Sequence, residues 1–120
     1  MKYRLMDILA CPMCKHFPLR LGVFSVEERY NPKEVRRCEM FCGYHGQLVE
    51  ELGHEPDCRS CWRYEVIDGL LTCPKCGRWF PIFDEIPIML PDGLRDRKLE
   101  AEFVRRWRDR LPKEIVESVG

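Results

Sequence analysis

This chain of 120 residues is poor in the features that announce most functions. It contains one asparagine and one glutamine. No stretch approaches the ~18 consecutive apolar residues that a membrane-spanning helix needs, which excludes an ordinary transmembrane segment. The one early apolar run, Leu5 to Ala10, is short and carries Asp7, so no secretory leader is expected and the cytoplasm is the expected compartment. There is no G-x-S-x-G elbow, no glycine-rich phosphate loop and no H-E-x-x-H, which removes the commonest serine-hydrolase, nucleotide-binding and metalloprotease signatures. Net charge is absent too: 20 Lys/Arg balance 20 Asp/Glu, so the chain as a whole is no polyanion binder. The balance is uneven along the chain. Residues 1–37 hold eight Lys/Arg against four Asp/Glu, and residues 38–70 hold two against seven.

What the chain does have is cysteine, eight in 120 residues, in four close pairs: Cys11/Cys14, Cys38/Cys42, Cys58/Cys61 and Cys73/Cys76. Paired cysteines in an intracellular protein usually hold metal rather than form disulfides. A C-x-x-C turn aims two thiolates at one ion, and two such turns complete a tetrahedron. The outer pairs are both C-P-x-C, followed by Lys15 or Gly77, which is a zinc-ribbon signature. Such a four-thiolate site is closed and structural. The inner pairs are less regular, but fifteen residues separate Cys42 from Cys58, a spacing that suits a second zinc site. Disulfides and buried free thiols are the alternatives there. The charged, amide-poor composition resembles that of thermophile proteins, some of which keep intracellular disulfides. His45 and His54 lie between the inner pairs, where either can replace a thiolate or be an ordinary histidine. His16 reads only as a neighbour of the first knuckle. Spacing leaves the partnership open: outer with outer and inner with inner, or first with second and third with fourth.

The rest of the chain is read from periodicity. Residues 3–10 form a helical turn, and Leu19 to Phe24 a strand. Asn31-Pro32 starts a helix running to about Phe41 and carrying Cys38 and Cys42 on one face. A helical turn lies around Leu48–Leu52. Tyr64–Ile67 and Leu70–Thr72 are strands about a tight Asp68-Gly69 turn. A second hairpin pairs Trp79–Phe83 with Ile86–Leu90 through Asp84-Glu85. Residues 95–110 are helical, with Leu99, Phe103 and Trp107 at four-residue spacing and Glu102–Arg106 and Arg105–Asp109 as i,i+4 pairs. Pro112 begins a last turn with Ile115 and Val116. The 79–83 strand poses a packing problem. Trp79, Pro81 and Phe83 point one way and Phe80 and Ile82 the other, so both faces are apolar. An apolar face larger than the chain's own core can cover marks an interface; the alternative is that the insertion and the C-terminal helix cover it.

The stretches LMDILACPMCK (5–15), FPLRL (17–21) and above all EVIDGLLTCPKCGRWFPIFDEIPIML (65–90) resemble the small zinc-binding activator subunit shared by methyltransferases of the translation machinery. Together they span 42 residues. The resemblance implies an α+β, zinc-ribbon-like fold: a small antiparallel sheet with a packed helix, a central helical, Cys-rich insertion and a C-terminal helix. Residues 1–25 and 64–91 would form the ribbon, 26–63 the insertion and 92–120 the C-terminal extension, with Phe103 and Trp107 packed on the ribbon or the partner. It implies that Cys11, Cys14, Cys73 and Cys76 hold one zinc. A second zinc on Cys38, Cys42, Cys58 and Cys61 rests on spacing alone, since inner cysteines are no hallmark of this family.

By the same resemblance the protein is not an enzyme. It is a subunit that binds a Rossmann-like, S-adenosylmethionine-dependent methyltransferase acting on tRNA, ribosomal RNA or release factor. Strand pairing and an apolar patch would make the contact, with Phe17, Leu19, Phe80, Ile82, Phe83, Ile86, Pro87 and Met89 as the residues offered. Direct nucleic-acid binding is the alternative, through Lys15, Arg20, Arg36, Arg37, Arg78 and the Arg105/Arg106/Arg108 group; a dithiol redox protein is a third.

Overall fold

The computed structural model describes residues 1–29 and 35–119. A 3-10 turn at Tyr3–Asp7 precedes the first knuckle and β1 (Arg20–Glu28). Next come a two-stranded unit, β2 (Phe41–Cys42) and β3 (Gln47–Leu48), a 3-10 turn at Val49–Glu51 and the short helix α1 (Cys58–Arg63). Strands β4 (Tyr64–Thr72), β5 (Trp79–Phe83) and β6 (Ile86–Pro87) follow, then α2 (Arg97–Trp107), a 3-10 turn at Arg108–Arg110 and α3 (Lys113–Val119). The main sheet is antiparallel in the order β1-β4-β5-β6. This is the α+β, zinc-ribbon-like class expected from the sequence.

Both faces of β5 are buried, and by different parts of the chain. On one face Phe80 and Ile82 join Val66, Leu71 and Leu19 in a core closed by Met6 of the first 3-10 turn and by Met1. On the other, Trp79 and Leu70 meet Phe103, Val104, Leu111 and Ile115 of the C-terminal helices, with Phe24, Phe83 and Trp107 at the margin. Phe103 is fully buried. It stacks on Phe24 and Trp79 at ring-centroid distances of 6.2 and 6.3 Å and meets Phe83 edge-on at 6.3 Å, separations at which aromatic pairs attract. The four-residue spacing read in the sequence puts Phe103 and Trp107 on one side of α2, and that side faces the sheet. Asp96 starts the helix by accepting the Lys98 and Leu99 N–H groups, each at 3.1 Å.

Prolines fit the sheet because of where their missing donors fall. The Pro81 carbonyl accepts the Ile88 N–H at 2.8 Å, on the β6 side. In an antiparallel strand the nitrogen and carbonyl of one residue face the same neighbour. The absent N–H therefore points past the end of the two-residue β6 and costs the β4–β5 ladder nothing.

Three expectations change. Asp68-Gly69 makes no turn: β4 runs straight through it, and the residues expected as two strands are one, paired with β1 along its length. The Asp68 carboxylate is buried, accepts the Asp84 N–H at 3.0 Å and faces the Arg106 guanidinium at 3.8 Å. At Gly69 a Cβ would come within 2.5 Å of the Gly22 carbonyl oxygen, so glycine serves close strand approach here. The helix expected from Asn31 to Phe41 begins outside the described residues, and 35–40 contain none. The N–H groups of Glu39, Met40 and Phe41 donate to the Asp7 carboxylate at 2.8–3.0 Å, which diverts donors a helix would use internally. Finally, Arg106 turns from Glu102 toward Asp68 and lies over the Phe83 ring, 4.9 Å from its centroid.

Phe103→Ala would leave a cavity between sheet and helices. It should destabilise the protein by about 3–5 kcal/mol, read as a lower urea midpoint by tryptophan fluorescence. A loss well under 1 kcal/mol would mean that α2 does not close this face.

Candidate metal centre

The two outer knuckles are the same turn used twice. In the first, Cys11 N–H donates to the His16 carbonyl at 3.0 Å and Lys15 N–H to the Cys11 carbonyl at 2.9 Å. In the second, Cys73 N–H donates to the Arg78 carbonyl at 2.8 Å and Gly77 N–H to the Cys73 carbonyl at 3.0 Å. Both turns need a left-handed residue at the equivalent place. Gly77 supplies it at φ 77°, but Lys15 adopts it at φ 67°, where a side chain is costly.

These turns face each other across the end of the sheet. The Cys11 and Cys76 sulfurs are 3.6 Å apart and those of Cys14 and Cys73 3.5 Å. All four lie within 4.8 Å of one another, the only such group of potential ligands among the described residues. Four thiolates about 2.3 Å from a tetrahedral ion sit roughly 3.8 Å apart, so these residues fit a metal ion such as zinc. The backbone already favours charged sulfur. Cys76 accepts the Arg78 N–H and lies beside its guanidinium, which holds the thiol down to about 6. The His16 N–H likewise favours the Cys14 thiolate, yet burial and the crowd of neighbouring sulfurs push that thiol up to about 11. Without a cation, four thiolates this close cannot all ionise. Arg78 also pairs side-on with Asp92, donating from Nε and Nη2 at 2.9 and 2.8 Å and tying the knuckle to the start of the C-terminal extension.

The inner cysteines lie elsewhere, in and beside β2 and α1. Cys38 precedes β2, Cys42 lies in it, and Cys58 and Cys61 occupy α1; all eight cysteines are free thiols. Burial and the neighbouring sulfurs push Cys38 up to about 11 and Cys61 up to about 12. The histidines between these pairs are used otherwise. The His45 ring accepts the Asp57 N–H at 3.0 Å, and His54 Nδ1 lies 2.8 Å from the Glu55 carbonyl. His16 lines a groove of about 460 Å³ with Pro18, Arg20, Phe41 and Pro74.

Of the residues expected to meet a partner, Leu19, Phe80 and Ile82 are in the first core, so their side chains are spent inside the chain. Phe83 is half-buried against Phe103. Phe17 and Met89 are half-buried at the rim of the first core, Pro87 is half-buried and Ile86 is exposed. Alternation along the strand identified two apolar faces but not the helices that cover one of them. The sequence reading also passed over Asp7 as a functional group. Its signal was there, a lone carboxylate in an apolar run. Burial works against its charge, but the Glu39, Phe41 and Met40 N–H donors outweigh that and hold it below the ordinary aspartate value.

A small α+β protein stapled by a four-sulfur centre is the class these features define. Its family follows from comparison with known proteins: residues 2–85 match the family described as Trm112p-like protein, and the chain belongs to it. This is a family of small activator subunits of methyltransferases. The matched region holds β1, β4, β5 and both knuckles and ends just before β6. A search of curated proteins gave no match. Among the described residues no helix is long and apolar enough to cross a membrane.

Two outcomes are expected at this centre. Stripping the metal with a strong chelator should remove folding free energy on the order of 10 kcal/mol and abolish the near-ultraviolet circular dichroism of the buried aromatics. Lys15→Gly should relieve the left-handed strain and raise stability by about 0.5–1 kcal/mol, after allowing for the greater freedom of glycine in the unfolded chain. Chemical denaturation of the metal-loaded protein measures the second effect.

Proposed function

We propose that this protein is the non-catalytic, zinc-binding subunit of a heterodimer with a Rossmann-like, S-adenosylmethionine-dependent methyltransferase of the translation machinery. Its substrates would be tRNA, ribosomal RNA or release factor, in the cytoplasm. The observation that carries this reading is the family match across three of the four sheet strands and both knuckles. In this reading zinc occupies the outer four-sulfur site and fixes the end of the sheet; it takes no part in methyl transfer. The partner contact uses the apolar residues left at the surface. Ile86 is 59% exposed on β6, and Phe17 and Met89 border the first core. At the opposite edge β1 has a strand neighbour only on its β4 side among the described residues, so a partner strand can add there.

Direct nucleic-acid binding is less well supported, because three of the eight basic residues that would form its stripe are paired with carboxylates. Arg78 pairs with Asp92, Arg37 with Glu55 and Arg106 with Asp68. Exposed guanidinium groups committed to carboxylates make a poor phosphate-tracking surface.

The test is co-expression with a methyltransferase subunit from the same genome. Ile86→Asp and Met89→Asp each place a charge in an apolar contact and should cut co-purification at least tenfold, while circular dichroism of the isolated variants stays native. Full recovery of the complex with both variants would reject this surface. Failure of the wild-type chain to co-purify with any such subunit would reject the function.

A further inference from the structure

The insertion between β1 and β4 has little to fold around. Its described part holds two two-residue strands, a three-residue 3-10 turn and a six-residue helix. Yet three of its four cysteines, Cys38, Cys42 and Cys61, are no more than 2% exposed. They arrive on separate segments, and Cys61 lies within electrostatic reach of Cys38, Cys42 and Cys58. The Tyr44 backbone N–H donates to the Cys61 sulfur, the kind of contact that Arg78 and His16 provide at the outer knuckles.

Each segment is also held from outside. Asp7 clamps 39–41 through three N–H donors. Asp57 accepts the Ser60 N–H at 3.1 Å and the Ser60 hydroxyl at 2.7 Å, which fixes the turn carrying Cys58 and Cys61. A further observation concerns charge. Arg4 packs over the Trp62 ring, and its guanidinium lies within electrostatic reach of Cys38 and Asp7. Its Nε–H is buried with no hydrogen-bond partner. The orphaned Nε–H sits beside Cys38, while the Asp7 carboxylate balances part of the guanidinium charge.

We propose that Cys38, Cys42, Cys58 and Cys61 form a second closed four-thiolate site for a divalent metal ion of the zinc class. On binding, four S–H protons pass to solvent, four metal–sulfur bonds form, and the centre carries two negative charges that Arg4 faces. Among the described residues only the outer four sulfurs lie within 4.8 Å of one another, so an ion bound here would have to draw the inner sulfurs together. The site would staple the insertion to the first 3-10 turn, which contacts both β2 and α1. The inference does not depend on which partner the protein binds.

The experiment is elemental analysis of the full chain purified without chelator, with thiols counted after denaturation in the absence of reductant. Two zinc ions per chain and eight reduced thiols are expected. Cys61→Ser and Cys11→Ser should each leave one ion, held by the intact set. Since Cys61→Ser may simply fail to fold, the wild-type chain supplies an independent readout: titration with a mercurial should release two ions over eight equivalents. Cobalt-substituted protein should show thiolate-to-metal charge transfer twice that of the Cys61→Ser variant. One ion per chain in the wild type, with the inner cysteines titrating as free thiols or recovered as disulfides, would overturn the proposal.

Discussion

The four-sulfur cluster is the constraint on which the sheet depends. It joins two knuckles separated by 58 residues of chain, and the elements leaving those knuckles, β1 and β5, lie on either side of β4. A sheet with two strands of only two and five residues beyond β4 has little ladder to set its own register. A metal ion adds free energy at one corner that short strands cannot supply. The same turn serves at both knuckles because the geometry of a thiolate pair, rather than the identity of the intervening residues, is what the ion needs. Lys15 therefore takes a conformation that Gly77 takes more cheaply.

The second constraint is aromatic. A sheet this small is apolar on both sides, and a chain of this length has no large surplus of residues with which to cover it. The cover comes from the C-terminal extension, which places Phe103 among Phe24, Trp79 and Phe83. This region lies beyond the family match. Cations finish the edge of that cluster: Arg95 over Trp79, Arg106 over Phe83 and Arg110 over Phe24, at 4.9, 4.9 and 5.1 Å. Arg95 is also paired with the buried Glu100 at 2.8 Å, so its charge is compensated where it is least solvated.

Covering that face changes what is left for a partner. Phe80 and Ile82 are core, and Phe83 belongs to the aromatic cluster. The available apolar surface shifts to the rim at Phe17 and Met89 and to exposed Ile86. Under the proposed function, a partner would meet the margin of the fold rather than an uncovered face of its sheet.

The knuckles, the amphipathic helix at 97–107 and the Asp84-Glu85 turn were legible in the residues, because each is specified locally: by ligand spacing, by four-residue periodicity and by an acidic break between two apolar runs. The family, too, was legible, from stretches concentrated around the knuckles. Asp68-Gly69 was misread for an equally physical reason. The dipeptide favours a turn in isolation, but a buried carboxylate bonded to the Asp84 N–H and a glycine pressed against the Gly22 carbonyl hold it in a continuous strand. The sequence by itself determined which atoms can bind metal and which strand has two apolar faces. Spacing left the sulfur partnership open and the family resemblance implied outer with outer, but only the tertiary structure brings those sulfurs together and lays helices over the second face. Both depend on contacts between residues distant in the chain, and no local pattern encodes the choice among them.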